Sequence, residues 1–170
     1  MKKQLFFLII LVTASFQLYS QDEVFKPTEK GRWLIEANTN FGTPQVAQTS
    51  FSFTNTSGSS FWSLGAEGGY FVADNLAVKL GLGYFDSDDS LIDASLSYKV
   101  GLKYYLKEKI PIQIDFSGDT ENNAYFGVQA GYAFFVNNNI SIEPGLRFNG
   151  GINEFNINSL QLNIGFALHF

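Results

Sequence analysis

The sequence contains no cysteine, and its only methionine is the first residue. Disulfides, metal thiolates and thiol nucleophiles therefore play no part in its fold or chemistry. No apolar stretch beyond residue 20 approaches the roughly 20 residues that a membrane-spanning helix requires. If the chain crosses a membrane, it must do so as a closed β-barrel, because an open sheet would leave backbone groups unpaired in lipid.

Positive charge is also scarce. The chain has 11 Lys and Arg against 16 Asp and Glu, with a formal net charge of −5 and no basic cluster. This balance argues against nucleic acid as a partner. Glycine and aromatic residues are abundant instead, with 16 Gly, 18 Phe, 8 Tyr and 2 Trp, which is typical of a single domain built from strands and turns.

The N-terminus has the pattern of an export signal. Two lysines precede an apolar run over residues 5–12, and small and polar residues follow up to Ser20. The run is too short to remain as a membrane-spanning helix. We therefore predict a signal peptide over residues 1–20 with cleavage after Ser20.

The C-terminal residues 160–170 alternate strictly between two kinds of side chain. Successive residues of a strand point to opposite faces, so each kind occupies one face. One face is large and apolar throughout, and the other carries small or polar residues. This is the reverse of a soluble barrel, so lipid is the natural solvent for the large apolar face. That face comprises Leu160, Leu162, Ile164, Phe166, Leu168 and Phe170.

The same alternation recurs upstream and predicts an all-β fold, an eight-stranded antiparallel up-and-down transmembrane barrel. Most of the predicted strands have the roughly 9 to 11 residues that a tilted membrane strand needs. The fifth is the shortest, because a Ser-Gly-Asp stretch follows it. The predicted strands are 32–43, 60–72, 76–85, 92–106, 110–117, 123–136, 140–149 and 157–170.

Short and long connections alternate between these strands. The tight ones are 73–75, 107–109 and 137–139, and the longer polar ones are 44–59, 86–91, 118–122 and 150–156. Bacterial outer-membrane barrels place short turns in the periplasm and long loops outside. Both ends of the barrel domain, residues 31–170, are then expected on the periplasmic side, where residues 21–30 form a short N-terminal segment.

Two hairpins are similar to each other in sequence. Residues 71–82 parallel residues 135–146, and each hairpin has an Asn at the end of its turn. Asn tolerates the left-handed helical region that often ends a three-residue hairpin loop. We therefore expect Asn75 and Asn139 in that conformation.

Charged residues collect on the inward face. An eight-stranded barrel leaves an interior only just wide enough for side chains, so we predict a paired polar core that fills the lumen. An ion path or gate is the alternative. Glu67 and Lys79 lie on neighbouring strands and are expected to pair. The full inward set is Glu36, Glu67, Lys79, Lys99, Lys103, Asp115, Glu143 and Arg147.

Two other features are candidate sites. His169 is the only histidine, and no serine lies near it in the sequence, which argues against a hydrolase or acyltransferase. The acidic loop 86–90, with Asp93 beyond it, is expected to be solvated or bridged to lipopolysaccharide by divalent ions, with direct Ca²⁺ binding as the alternative. No catalytic, metal or cofactor site is predicted.

The first long loop carries aromatic residues interleaved with Ser and Thr. They are Phe51, Phe53, Phe61 and Trp62. We expect them to belong to the outer aromatic girdle, with the first two strands continuing as a ribbon above the membrane. The alternative is a sheet edge that pairs with strands of a foreign protein.

The 69–78 hairpin and the alternating C-terminal strand resemble the outer-membrane β-barrel domain family that includes OmpX and the barrel of OmpA. The resemblance extends over about residues 31–170. It implies a location in the outer membrane of a Gram-negative-type bacterium. It also implies that Phe166, Leu168 and Phe170 form the signal read by the outer-membrane assembly machinery. The peptidoglycan-binding activity of OmpA is not carried over.

The sequence predicts a non-enzymatic, monomeric barrel that contributes to envelope integrity and makes surface contacts through its loops. A narrow pore for ions or small solutes is the alternative, and a lipid A-modifying barrel enzyme is the second alternative. The expected partners are outer-membrane lipid and lipopolysaccharide, periplasmic chaperones, the assembly machinery, and extracellular protein through loop 44–59. No cofactor is expected.

The C-terminal residue provides a first test. If Phe170 is part of an assembly signal, the change Phe170→Ala lowers the amount of folded barrel in the outer membrane. Heat-modifiable migration in gels measures the folded fraction. A wild-type amount of folded protein in the Phe170→Ala strain would show that this residue is not needed for recognition.

Overall fold

The computed structural model describes residues 26–41, 49–56, 58–90, 93–153 and 156–170. The predicted signal peptide lies outside the described residues. One ten-stranded sheet accounts for most of the described chain. Its strands are β1 Trp33–Phe41, β2 Ser52–Thr56, β3 Ser59–Ala73, β4 Leu76–Ser87, β5 Ser95–Leu106, β6 Ile110–Asp119, β7 Ala124–Gly131, β8 Phe134–Phe135, β9 Ile140–Gly151 and β10 Ser159–His169.

The sheet closes into a barrel. Antiparallel neighbours follow the order β1-β10-β9-β7-β6-β5-β4-β3, and β1 pairs with β3 to complete the ring. Both β7 and β8 pair with β9 and together form one interrupted strand of the wall. The predicted eight-stranded antiparallel barrel is therefore confirmed. Strand β2 is an addition to it.

The outside of the wall is apolar, and the inside is polar. On β4, the outward Leu80 and Leu82 are 64% and 74% exposed, whereas the inward Lys79 is 1% exposed. Aromatic pairs mark the two ends of β3: the ring centroids of Trp33 and Tyr70 lie 5.0 Å apart, and those of Trp62 and Tyr84 lie 5.5 Å apart. An apolar band between aromatic girdles is the surface of a barrel solvated by lipid.

Two predicted strands have different ends in the structure. Strand β6 continues to Asp119 beyond its predicted end at Ser117, because Asp119 still pairs with Ser97 and its carboxylate accepts the backbone N–H of Asn123. The predicted strand 123–136 is interrupted at Tyr132. Its N–H donates to the carbonyl of Pro144, but the proline has no N–H to return the bond.

The two similar hairpins turn differently. Asn75 has φ of 66° and adopts the left-handed conformation that the sequence predicts. The same prediction for Asn139 is wrong, since this residue is not among those with positive φ. Its N–H instead bonds the side chain of Asn137, and its own amide donates to the carbonyl of His169. A side-chain turn replaces the left-handed one.

The seam between β1 and β3 is short. The two strands pair only from Trp33 with Tyr70 to Glu36 with Glu67. Above that point the segment 49–56 lies between them: its strand β2 runs antiparallel to β3, and the N–H of Phe51 donates to the carbonyl of Asn38 on β1. The expected ribbon is therefore present as the β2–β3 hairpin, but its first strand is β2 and not a continuation of β1.

Glycines make room for the start of this segment inside the barrel. Thr49 and Ser50 are almost fully buried, and the Ser50 carbonyl accepts the hydroxyl of Ser63. A Cβ on Gly65 would collide with the backbone of Thr49. Segment 49–56 therefore enters the wall from the lumen side.

This packing predicts different tolerances at two glycines of β3. Gly65→Val collides with Thr49 and is expected to cost about 1–3 kcal/mol, since overpacking forces neighbours to shift. Gly68→Val is the matched control, because nothing lies within 4 Å of its Cβ position. Chymotrypsin should cut the folded Gly65→Val protein at Phe51 or Phe53. Equal resistance of both variants would contradict the insertion of this segment.

Candidate functional site

The structure places all eight charged residues predicted to face inward inside the barrel. They come from six different strands, and the most exposed of them, Lys99, is only 9% exposed. They are brought together because their strands cross the same level of the barrel with the same parity. The set is Glu36, Glu67, Lys79, Lys99, Lys103, Asp115, Glu143 and Arg147.

Glu67 is the junction nearest the first loop. Its carboxylate oxygens lie 2.7 Å from the Nζ of Lys79 and 2.6 Å from the Nζ of Lys99. The pair expected from the sequence is therefore present, with a diagonal register: Glu67 lies opposite Gly81, and Lys79 lies opposite Gly69. The hydroxyl of Thr49 also donates to Glu67 at 2.7 Å, so the network fixes the inserted segment as well.

Glu36 connects the two halves of the network. Its Oε2 lies 2.8 Å from the Nζ of Lys79 and 2.6 Å from the Nζ of Lys103. Lys103 is shared in turn with Glu143, at 2.6 Å. The other Glu36 oxygen, Oε1, is buried with no hydrogen-bond partner among the described residues. One strand, β1, thus holds together the ions of β4, β5 and β9.

Asp115 and Arg147 form a two-pronged pair on the long-loop side of the network. The guanidinium donates to both carboxylate oxygens, at 2.7 and 2.6 Å. Gln113 joins this pair to the rest, since its amide donates to Asp115 at 2.8 Å and its carbonyl accepts from Lys79 at 2.9 Å. Gly127 leaves the space for the pair, because a Cβ there would collide with both side chains.

The network is electrically balanced. It contains four acids and four bases, and each of them contacts at least one opposite charge. Ions removed from water are strongly destabilising unless they are paired and hydrogen-bonded. Long charged side chains also fill the lumen, since the eight-stranded ring is only just wide enough for them. The arrangement therefore functions as a polar core.

Below the ions, an aromatic cluster occupies the end of the lumen that carries the short turns. Phe71, Tyr105 and His169 are each 0% exposed, with ring centroids 6.0 to 6.2 Å apart. The Tyr105 hydroxyl donates to Glu143 at 2.9 Å, which connects the cluster to the charges. Sequence reasoning missed Tyr105 because its inward parity was hidden in a run of two tyrosines.

The structure corrects one argument about His169. No serine is near it in sequence, but Ser141 of the neighbouring strand β9 places its Oγ 3.0 Å from the His169 Nε2. The same hydroxyl lies 2.7 Å from a Glu143 oxygen, and Ser141 and His169 are both 0% exposed. Strand pairing of Ala167 with Ser141 brings them together. As it stands, this contact is a buried hydrogen bond without access for a substrate.

The remaining predicted sites lie at the surface or where β1 meets β10. Phe166 points outward and is 52% exposed, and Phe170 exchanges backbone hydrogen bonds with Trp33 at the end of the β1–β10 pairing. In the acidic loop, Asp86 and Asp88 accept backbone N–H groups, of Ser87 and Ser60 respectively. The part of the chain that the structure describes contains no group of three or more potential ligands arranged to hold a metal ion.

Among the described residues there is no helix long and apolar enough to span a bilayer. No protein-family model matches the sequence, and no curated protein does.

Solved structures are similar in fold. A de novo designed transmembrane β-barrel has 15% identity and a TM-score of 0.50, covering 84% of this chain and 98% of its own. The solution structure of the designed barrel TMB2.3 has 16% identity and a TM-score of 0.49, covering 88% and 97%. Ail, an outer-membrane protein of Yersinia pestis studied in a phospholipid nanodisc, has 9% identity and a TM-score of 0.47, covering 83% and 100%. At such identities the first match shows a transmembrane-barrel fold and nothing finer.

The ion network predicts strong coupling between Glu67 and Lys79. Each of the changes Glu67→Gln and Lys79→Met leaves one uncompensated buried charge and is expected to cost on the order of 3 kcal/mol of unfolding free energy. The double variant restores neutrality, so its loss should be smaller than the sum of the two single losses by about 1–3 kcal/mol. Chemical unfolding in detergent micelles measures all three.

An exposed pair provides the control for this cycle. Glu29 and Arg32 lie 3.9 Å apart on the surface of the N-terminal segment, and Glu29→Gln should cost under about 1 kcal/mol. Additive losses for Glu67→Gln and Lys79→Met, or losses as small as that of Glu29→Gln, would show that the interior charges do not depend on each other.

Proposed function

We propose that the protein is a non-enzymatic outer-membrane barrel of a Gram-negative-type bacterium. Its wall contributes to envelope integrity, and its outer loops make contacts at the cell surface. The observation that carries the proposal is the interior: a neutral set of paired ions occupies the lumen at the level where a pore would need open space. Membership of the OmpX and OmpA type is part of the same proposal.

The exterior supports a role as an integral part of the envelope. Lipid-facing positions such as Leu64, Leu80 and Leu160 are large, apolar and at least 60% exposed. In water such a surface would cause the protein to aggregate, whereas in a bilayer it contacts the lipid tails, which solvate it. The signal-like N-terminus and the alternating C-terminal strand support export to the outer membrane.

The paired interior favours a plug over a pore. For an ion to pass Lys79 it would have to displace contacts of 2.7 to 2.9 Å with Glu67, Glu36 and Gln113. Breaking a buried pair costs about 3–5 kcal/mol, and these side chains share partners, so one rearrangement disturbs several pairs. A narrow pore is the competing function.

The hairpin of β2 and β3 supports surface contact. Phe53 and Trp62 are paired across it, and Phe53 is 66% exposed. The hairpin lies at the outer end of the barrel, since β2 pairs with residues 59–63 of β3, at the opposite end of that strand from the short turn at residues 74 and 75. An exposed aromatic residue on a short two-stranded hairpin suits contact with protein or with the glycolipid surface.

Conductance separates the plug from the pore. Purified protein inserted into a planar bilayer should show no steady current above that of the lipid alone. Gel migration of the same sample before and after heating shows whether the protein is folded. A stable single-channel current from folded wild-type protein would favour the pore and overturn the plug.

Complementation separates the two parts of the proposed role. A deletion strain is expected to become sensitive to detergent and to adhere less, and the wild-type gene should restore both properties. Phe53→Ser should assemble normally and restore detergent resistance without restoring adhesion. A deletion strain with unchanged detergent resistance and adhesion would contradict both parts.

A further inference from the structure

The N-terminal segment, residues 26–32, closes the periplasmic mouth of the barrel. Thr28 is 3% exposed, and its carbonyl accepts the N–H of Asn75 at 2.7 Å. The N–H of Lys30 donates to Asp74 at 3.0 Å, and that of Gly31 donates to the carbonyl of Phe71 at 2.9 Å. The segment is thus bonded to the β3–β4 turn and lies over the aromatic cluster.

A chain of three hydrogen bonds joins this segment to the ion network. The carbonyl of Pro27 lies 3.1 Å from the His169 Nδ1. The His169 Nε2 lies 3.0 Å from the Ser141 Oγ, which lies 2.7 Å from a Glu143 oxygen. His169 and Ser141 are fully buried, and Glu143 is almost so. Water therefore cannot replace a link of this chain without the segment moving.

The chain needs three protons. A carbonyl and a carboxylate stand at its ends, and both only accept hydrogen bonds. The serine hydroxyl supplies one proton and a neutral imidazole supplies one, so a neutral chain can form only two of its three links. The other oxygen of Glu143 already accepts from Lys103, at 2.6 Å. A third proton, on the His169 ring, completes all three links.

We propose that the N-terminal segment is an acid-tightened cap: protonated His169 holds the carbonyl of Pro27, and neutral His169 gives up that link. Histidine is the side chain that ordinarily changes charge between about pH 5 and 8. While the segment is in place, the chain forms three links when the His169 ring is protonated and two when the ring is neutral. Its attachment therefore becomes stronger as pH falls and weaker as pH rises.

The titratable groups around His169 come from β9, β1 and β5, whereas β3 and β8 pack the rings of Phe71 and Phe135 against it. Glu143 on β9 accepts the Ser141 hydroxyl and contacts Lys103 on β5, and Lys103 also contacts Glu36 on β1. Tyr105 also lies on β5 and donates its hydroxyl to Glu143. The protonation of His169 is thus coupled to the same ions that fill the lumen.

The amide of Asn75 reports the state of the cap, because it donates to Thr28. Its hydrogen-exchange protection factor, measured by NMR on the full chain in micelles, should rise about tenfold from pH 8 to pH 4, as expected for one bond from a charged donor. The ring nitrogen shifts of His169 should titrate over the same range. The amide of Val136, which bonds Ile140 at the same end of the barrel, is the internal control.

Two variants distinguish the proton count from a general structural effect. His169→Gln does not titrate, so protection at Asn75 should stay low and independent of pH. Ser141→Ala removes the two links that the serine makes and leaves only the link from His169 to Pro27. A neutral ring can donate its single proton to Pro27, so protection of the Asn75 amide should stay high at both pH values. Heat-modifiable migration shows that each variant is folded.

Three results would overturn the proposal. One is equal protection of the wild-type Asn75 amide at pH 8 and pH 4. Another is a wild-type pH dependence in either His169→Gln or Ser141→Ala. The third is a parallel change at Val136, which would mean that acid alters the whole periplasmic end and that His169 does not act on the cap.

Discussion

The pairing of charge inside a narrow ring is the constraint on which the rest of the structure depends. Closure of eight strands satisfies the backbone in lipid but leaves a lumen that side chains alone must fill. Four acids and four bases fill it, so the removal of any one member leaves an unbalanced charge buried in the lumen. Small residues such as Gly127 follow from the same requirement, because they leave space for the larger ions.

The network also determines how the two ends of the lumen are closed. At the long-loop end, Thr49 bonds Glu67 and keeps the inserted segment in the gap between β1 and β3. At the short-turn end, Tyr105 and Ser141 bond Glu143 and connect the aromatic cluster and the N-terminal segment. The wall, the plug and both closures thus share one set of hydrogen bonds.

The wall was predictable from the sequence because period-two alternation depends only on which face meets lipid. The inward parity of the charged residues and the Glu67–Lys79 pair follow from the same period and from one turn. The contact between Ser141 and His169 could not be predicted, since it depends on the exact pairing of β9 with β10. The interruption at Tyr132 was hidden for the same reason, because its cause is Pro144 on another strand.

The lysine ammonium groups test the central claim most directly. NMR of the folded protein can observe the Nζ protons of Lys79, Lys99 and Lys103, which have carboxylate partners within 2.8 Å. Paired ions in a plugged lumen predict separate signals at neutral pH that exchange slowly with water. Exchange as fast as that of the exposed Lys107 and Lys109 would show a hydrated lumen and contradict the account.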